Sequence, residues 1–376
     1  MIEAPRSILI VNTRLIGDVI LTTPLIAILT TAFPEAAIDF IANRGTGEFL
    51  EKDPRVRKVI YSEKWKSPSA GPASSYLSYI FRKYDLALSM NTGDRGAVAI
   101  LAASRNYRVG YYDATKAVSS AIRKLLFSHP IHFDEDLHVV LRCGQIAAAL
   151  GLLCEQLEVK LFWDESDQAK VISKLADNNL SGSYLVIHPF ARWRYKYWEI
   201  SRFCEVSDRL ARVHGLQPVW TSSPDPEEIV LLQAAAAGCR IKPLLIPGTL
   251  SLNQMACLLK GAALYIGLDT AITHIAASTG VPMVALYGPT ELWRWHPWDN
   301  ERSQHEPVAF GYRGTIRSGR MVTLQAGCEH YPCIRPHCYG ETENPCMMEL
   351  TADAVCREAA QILAIKADFE DAHHAG

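Results

Sequence analysis

The sequence lacks three features that would each point to a particular class of protein. It has no uninterrupted apolar stretch of about 18 residues, so a membrane-spanning helix is excluded. It has no excess of either charge, because 38 Lys and Arg face 40 Asp and Glu, and this balance argues against nucleic acid as a partner. Its first residues lack the apolar segment and cleavage site of a signal peptide. We therefore expect a cytoplasmic protein whose contact with a membrane can only be peripheral.

Motifs for dinucleotide and metal binding are also scarce. No G-x-G-x-x-G follows the first apolar run, which argues against a dinucleotide dehydrogenase. The one Asp-x-Asp pattern, residues 134–136, precedes a helical stretch of the first half, and we interpret it as a solvated acidic turn. No metal site and no cofactor are predicted.

The ten cysteines divide into two groups. Five stand singly among apolar neighbours, as reduced core thiols do: Cys143, Cys154, Cys204, Cys239 and Cys257. The other five cluster with irregular spacing: Cys328, Cys333, Cys338, Cys346 and Cys356. This cluster lacks the paired C-x-x-C knuckles of a structural zinc site, so zinc, a disulfide and free thiols all stay open.

Short apolar runs alternate with helical stretches along most of the chain. A length of 376 residues favours two domains, and the alternation restarts at residue 184 after a polar segment, 164–183. Such alternation predicts an α/β protein with two Rossmann-like, doubly wound domains facing a cleft. We predict domains at 1–170 and 183–376. Whether the last helix, about 351–365, packs back on the first domain stays open.

Three strand-to-helix turns carry residues suited to chemistry. Asp18 follows the first apolar run, where it could be a general base or an acid that caps a helix. The loop 188–198 contains Arg192, Arg194 and Lys196, which suit a diphosphate but could equally form a solvated basic loop. The turn 267–277 begins a helix whose N-terminus could hold phosphate oxygens. Its polar residues are Asp269, Thr270 and His274, and the alternative is a capping pair with a core histidine.

In this order and spacing the motifs resemble glycosyltransferase family 9, the ADP-heptose:lipopolysaccharide heptosyltransferases. The resemblance is carried by Gly17-Asp18 with Thr22-Thr23-Pro24, by Asp269-Thr270 with His274, and by Val281-Pro282 with Tyr287-Gly288-Pro289-Thr290. Further segments look most like the heptosyltransferase III branch: 93–95, 188–192 and 295–298.

The resemblance implies a GT-B fold, with the lipopolysaccharide core acceptor on the N-terminal domain and the ADP-sugar on the C-terminal domain. It also implies metal-independent transfer of a heptose with inversion at the anomeric carbon. Asp18 would be the base. The donor-binding residues would be Lys196, Asp269, Thr270, His274 and Arg192, with Glu227 chosen for the ribose among the acids of 223–228. Arg95 and Arg44 are the expected contacts to the anionic acceptor.

Two departures from the family pattern concern the donor side. Ala271 stands where relatives have glycine, and Phe190 replaces a hydroxyl residue. They leave open a transferase of the same fold that uses another nucleotide sugar. From a different class, a two-domain solute-binding protein is the remaining alternative. Residues 116–127 combine cations with Leu125, Leu126 and Phe127, so they could touch an anionic membrane or be an ordinary surface helix.

Overall fold

A computed structural model describes residues 2–62, 74–180, 182–301, 314–327 and 345–374, with the side chains of 74, 75 and 365–374 left out. These residues form two compact units, one ending at Phe162 and one beginning at Trp163. Among the residues described, no helix is long and apolar enough to cross a membrane. We describe each unit by itself.

The first unit is a parallel sheet with helices between its strands. The strands are β1 (Ser7–Val11), β2 (Ala37–Asn43), β3 (Val56–Ser62), β4 (Tyr84–Ser89), β5 (Ser104–Tyr112) and β6 (His129–His132). The helices are α1 (Ile16–Ile20), α2 (Thr23–Ala32), α3 (Ser74–Ile80), α4 (Asp94–Ala103), α5 (Ala117–Leu126) and α6 (Leu141–Ala149), with a 3-10 turn at Glu48–Lys52.

The strand order, β3-β2-β1-β4-β5-β6, reverses direction between β1 and β4. Both strands are almost wholly buried, since helices cover the two faces of the sheet, and this explains their continuous apolar sequences. In doubly wound sheets, ligands bind beyond the carboxyl ends of the strands at such a reversal. The loop that leads from β1 to Asp18 in α1 begins at this point.

The second unit repeats this plan. Its strands are β7 (Tyr184–His188), β8 (Gln217–Ser222), β9 (Leu244–Pro247), β10 (Leu264–Leu268), β11 (Met283–Tyr287), β12 (Ile316–Ser318) and β13 (Met321–Gln325). Its helices are α7 (Glu165–Ala176), α8 (Ile200–His214), α9 (Pro226–Gly238), α10 (Leu252–Lys260), α11 (Ala271–Thr279), α12 (Leu292–Trp295), α13 (Pro345–Met348) and α14 (Ala352–His374), with a 3-10 turn at Arg194–Lys196.

The order of this sheet is β12-β13-β11-β10-β7-β8-β9, and only β12 runs antiparallel to its neighbour. The direction of winding reverses between β7 and β10, which are paired in parallel. The loop after β7 carries Lys196, and the turn after β10 carries Asp269. The fold therefore brings these two predicted motifs to the same edge of one sheet.

The polar segment 164–183 differs from the expectation of a boundary region. Most of it forms α7, which starts with a capping box in which Asp164 and Asp167 each accept a backbone N–H of the other. Asp167, only 1% exposed, also accepts a hydrogen bond from Gln254 of α10. Because α7 packs on α10, the chain divides at Phe162/Trp163, earlier than the predicted first-domain end at residue 170.

The last helix also has a clear partner. The described part of α14 packs against α8, β11 and β13 of the second unit, and Arg317 of β12 forms an ion pair with its Glu358 at 2.6 Å. A contact of this helix with the first domain stays a prediction.

Candidate active site

Asp18 lies in the first turn of α1, at the carboxyl edge of β1, and is 7% exposed. Its Oδ1 accepts a hydrogen bond from Arg14 Nε at 2.6 Å, and its carboxylate also accepts the backbone N–H of Leu15. Burial raises the pKa of Asp18 above its ordinary 3.8, although Arg14 acts in the opposite direction. The side chain therefore stabilises the helix start and is also a stronger base than an exposed aspartate.

Two asparagines, which the sequence motifs did not single out, organise this edge. Asn12 donates to the Asp18 carbonyl at 3.0 Å and to Thr22 Oγ1 at 2.9 Å. Asn91, just after β4, accepts the N–H of Thr13 at 3.1 Å and donates to Thr13 Oγ1 at 3.3 Å. The ends of β1 and β4 are thereby tied together beside Asp18. The sequence signal was a polar residue within two positions of the end of each buried strand.

The two arginines predicted to contact the acceptor are both exposed on loops or helix starts of the first unit. Arg95 is the second residue of α4, and the Arg44 guanidinium lies over the Tyr61 ring at 4.9 Å from its centroid. Both side chains are thus available to an anionic ligand. Their role stays a prediction.

A compact charged cluster lies at the edge of the second sheet. Lys196 Nζ and Thr290 Oγ1 each donate to Asp269 Oδ2, both at 2.5 Å. The side chains of Lys196 and Asp269 are only 15% and 7% exposed. The structure brings these three side chains together from the loops after β7, β10 and β11, and Thr290 was noted in the sequence only as part of a family motif.

His274 and Thr270 lie at the start of α11 beside this cluster. Burial lowers the pKa of His274 to about 4, so the imidazole is neutral at pH 7. His274 Nδ1 and Thr270 Oγ1 are buried and have no hydrogen-bond partner among the residues that the structure describes. Buried polar atoms in native proteins usually have partners, and a helix N-terminus favours anions. The edge therefore suits a phosphate-bearing ligand.

Of the other predicted donor residues, Arg192 lies on an exposed loop and Glu227 lies in the first turn of α9. Arg192 is exposed and its guanidinium lies 5.3 Å from the Trp193 ring centroid. Glu227 forms an ion pair with Arg194 and is largely exposed. Its neighbour Glu228 is less exposed and accepts the backbone N–H of residue 223 at 2.9 Å. The choice of Glu227 as the ribose-binding acid stays a prediction.

The two departures from the family pattern occupy different environments. Phe190 is 2% exposed and packs in the hydrophobic core, with its ring 5.8 Å from that of Tyr197. The ring fills part of the core, so we attribute the phenylalanine to packing. It is then no longer a reason to consider a different nucleotide sugar. Ala271 is the first residue of α11, next to the candidate phosphate position.

Gln325, at the end of β13, was missed by sequence reasoning. Its amide donates to the carbonyls of Gly288 at 2.7 Å and Thr290 at 2.9 Å, while its buried Oε1 has no partner within the described part of the chain. It thereby holds the turn that presents the Thr290 hydroxyl to Asp269. A glutamine at a strand end carries no sequence signal for this role.

Within the part of the chain that the structure describes, no group of three or more His, Cys, Asp or Glu is arranged to hold a metal ion. Residues 134–136 are exposed, and Asp134 Oδ1 accepts the N–H of Asp136 at 2.9 Å, as expected for a solvated turn. Of the clustered cysteines, Cys346 and Cys356 are buried in the second unit. The prediction for Cys328, Cys333 and Cys338 lies outside the described residues.

The sequence is similar to a known protein family and to named proteins. A family model described as glycosyltransferase family 9 (heptosyltransferase) matches residues 80–306. Lipopolysaccharide heptosyltransferase 3 of Escherichia coli is 28% identical over 297 residues, which cover 77% of this chain and 86% of that protein. The lipopolysaccharide core heptosyltransferase OpsX of Haemophilus influenzae is 24% identical over 302 residues, covering 79% and 83%.

Solved structures extend the comparison to the fold. A family 9 glycosyltransferase from Veillonella parvula matches with a TM-score of 0.74 at 18% identity, covering 96% of this chain and 97% of that one. The ADP-heptose lps heptosyltransferase II of E. coli matches with a TM-score of 0.70 at 19% identity, covering 96% and 99%. The predicted fold, two Rossmann-like domains of the GT-B type, is confirmed.

Proposed function

The chain belongs to glycosyltransferase family 9, and from this membership we propose that it transfers a heptose from ADP-heptose to the inner core of lipopolysaccharide. Its curated relatives that share most of their length with it are named as lipopolysaccharide heptosyltransferases. The observation that carries the proposal is the cluster of Lys196, Asp269 and Thr290 beside the N-terminus of α11.

The donor diphosphate would bind at this cluster. A diphosphate that leaves during transfer gains negative charge, which a fixed cation and free backbone N–H groups stabilise. Lys196 supplies the cation, and α11 supplies the N–H groups and the positive end of its dipole. His274, neutral at pH 7, can donate one hydrogen bond without adding charge. Asp269 holds the Lys196 ammonium in place.

On the first unit, Asp18 would take the proton of the acceptor hydroxyl. That oxygen then attacks the anomeric carbon from the face opposite the diphosphate, the C–O bond to the phosphate breaks, and the configuration inverts. The raised pKa of Asp18 favours this role, because a base whose pKa lies nearer the working pH accepts a proton more readily. Arg95 and Arg44 would contact anionic groups of the acceptor.

The proposed acceptor is anchored in lipid, so the enzyme would work in the cytoplasm at the inner face of the inner membrane. A transferase of the same fold with another nucleotide sugar is the competing reading. One of the two residues on which this alternative rests, Phe190, is a core residue, and this weakens the alternative.

The test is a calorimetric titration of the purified chain with ADP, UDP, GDP and CMP, with EDTA present throughout. We expect ADP to bind selectively and Lys196→Ala to weaken this binding by about 10- to 100-fold. Lys170→Ala, on the exposed face of α7, is the control cation and should bind ADP as the wild type does. Selective binding of UDP or GDP would replace the donor, and no nucleotide binding would refute the proposal.

A further inference from the structure

Helix α5 of the first unit exposes a row of large apolar side chains. Val118, Ile122 and Leu125 are 76%, 51% and 84% exposed. Their spacing of four and then three residues places them on one face of the helix. Single exposed apolar residues are ordinary on protein surfaces, but a contiguous apolar row marks a surface that contacts something else. We name these three side chains the α5 stripe.

Cations accompany the α5 stripe. Lys116 precedes the helix and its side chain is 70% exposed, although Asp113 lies 3.4 Å from its Nζ. Lys124 is exposed in the last turn, with its Nζ 4.3 Å from the centroid of the Tyr112 ring. An apolar face with lysines beside it suits the boundary between acyl chains and anionic headgroups. A protein partner of unspecified charge would not require these lysines.

The inner face of α5 is fastened to the loop after β4 by one buried cation, Arg123, which is 7% exposed. Its guanidinium donates to the carbonyl of Thr92, to the carbonyl of Tyr111 at 3.0 Å, and to Asp94 Oδ1 at 2.7 Å. Sequence patterning had grouped Arg123 with the surface cations of 116–127. Its burial shows that it joins the helix to the sheet edge.

Hydrogen bonds connect the loop after β4 to the candidate base, Asp18. Asn91, next to Thr92, makes two hydrogen bonds to Thr13, and the neighbour of Thr13, Arg14, holds the Asp18 carboxylate. A continuous series of hydrogen bonds and peptide bonds therefore runs from α5 to Asp18. All of it lies within the first unit.

We propose that the α5 stripe and its lysines dock the chain on an anionic lipid bilayer, and that Arg123 positions the loop 92–94 with respect to that surface. The inference rests on the proposed function, which supplies an acceptor embedded in the bilayer. A helix that lies on the membrane and is connected to Asp18 through the loop 92–94 places the base at a fixed depth above the lipid. Arg123 is here a positioning residue.

Vesicle sedimentation tests the docking surface. The wild-type chain should bind vesicles of phosphatidylcholine with phosphatidylglycerol more strongly than vesicles of phosphatidylcholine alone. Val118→Ser/Ile122→Ser/Leu125→Ser should weaken binding to the anionic vesicles by at least about tenfold. Ile172→Ser/Val213→Ser, which removes exposed apolar residues from α7 and α8, is the control and should bind like the wild type.

Unchanged vesicle binding in the α5 variant would overturn the proposal. So would a wild-type dimer in sedimentation velocity that the α5 variant converts to a monomer with vesicle binding unaltered, because the stripe would then be an interface between copies. ADP titration in the absence of vesicles is measured in parallel. It reports on the second unit, so a failure of docking and a failure of the transferase proposal give different results.

Hydrogen exchange tests the positioning role. Amides of residues 92–95 should exchange more slowly when anionic vesicles are added, and this protection should be missing in the α5 variant. Arg123→Lys keeps the charge but cannot reach all three acceptors, so it should retain vesicle binding and lose the added protection. The positioning role would be refuted if the vesicles did not change the exchange rates of residues 92–95 in the wild type. Full protection in Arg123→Lys would also refute it.

Discussion

Replacement of Lys196 by methionine separates its structural role from its role in donor binding. The variant removes the ammonium that lies 2.5 Å from Asp269 Oδ2 and keeps a side chain of similar volume. The Asp269 side chain, 7% exposed, is then left with the Thr290 hydroxyl. Leaving a buried charge without its partner lowers the free energy of unfolding by about 3–5 kcal/mol. We take the lower end, about 3 kcal/mol, because Asp269 keeps one hydrogen bond and Lys196 is partly exposed.

Two assays measure the two roles. Guanidinium unfolding followed by tryptophan fluorescence reports on the second unit, because Trp198 and Trp220 are buried in its core. We expect Lys196→Met to lower the free energy of unfolding by about 3 kcal/mol. ADP affinity should fall by about 10- to 100-fold, as expected for the loss of one charge-assisted contact.

The double variant Lys196→Met/Asp269→Asn supplies the decisive comparison. It removes both charges, so its stability should return to within about 1 kcal/mol of the wild type, while ADP binding stays weak. The control Lys170→Met should change neither quantity. Recovery of ADP affinity in the double variant would show that Lys196 only neutralises Asp269, and wild-type stability of Lys196→Met would refute the calculated cost.

Three further predictions follow from the described contacts. Asp18→Asn should lower turnover by about two to four orders of magnitude with ADP affinity retained, and the wild-type rate should fall as pH drops through the pKa of Asp18, which burial raises; a variant with unchanged turnover removes Asp18 from the mechanism. Burial lowers the pKa of His188 and His274 to about 4, so the unfolded chain binds more protons than the folded chain between pH 6.5 and 4. The free energy of unfolding should therefore decrease as the pH falls from 6.5 to 4. His188→Gln should flatten this dependence in urea unfolding, and an unchanged slope would contradict it. Gln325→Leu removes the hydrogen bonds that the Gln325 amide donates to the carbonyls of Gly288 and Thr290, and it should cost about 1–3 kcal/mol of stability and weaken ADP binding. Intact binding in calorimetry would show that the turn holds without it.

Periodicity and strand-to-helix turns were sufficient to predict most strands of both sheets from the sequence, whereas β6, β12 and β13 were not predicted. The buried strands β1, β7 and β10 appear there as short apolar runs, because helices cover both faces of each sheet. The motifs after these strands could be placed at sheet edges for the same reason. Which side chains contact one another at those edges depends on loop conformation, so the contact of Thr290 with Asp269 and the role of Gln325 appeared only in the structure.

Two features, α7 and Arg123, differ in the structure from what the sequence predicted, and each difference has a physical cause. Helix α7 was read as a boundary because its exposed face is polar, although the spacing of Asp164 and Asp167 contains a capping box with aspartate in place of the usual glutamate. Arg123 was grouped with surface lysines because a long cation in an amphipathic helix is usually solvated. Its three acceptors come from other elements of the sheet edge, and no local pattern predicts them.

The hydrogen bond between Asp167 and Gln254 has a practical consequence for dissecting the protein. Gln254 belongs to a second capping box, which it forms with Ser251, so the starts of α7 and α10 share one polar node. A fragment that begins at residue 183 would lack α7 and so lose the hydrogen bond between Asp167 and Gln254. It would also expose the face of α10 that α7 covers. One that begins at Trp163 keeps both helix starts intact, and it is the piece to express for studying nucleotide recognition in isolation.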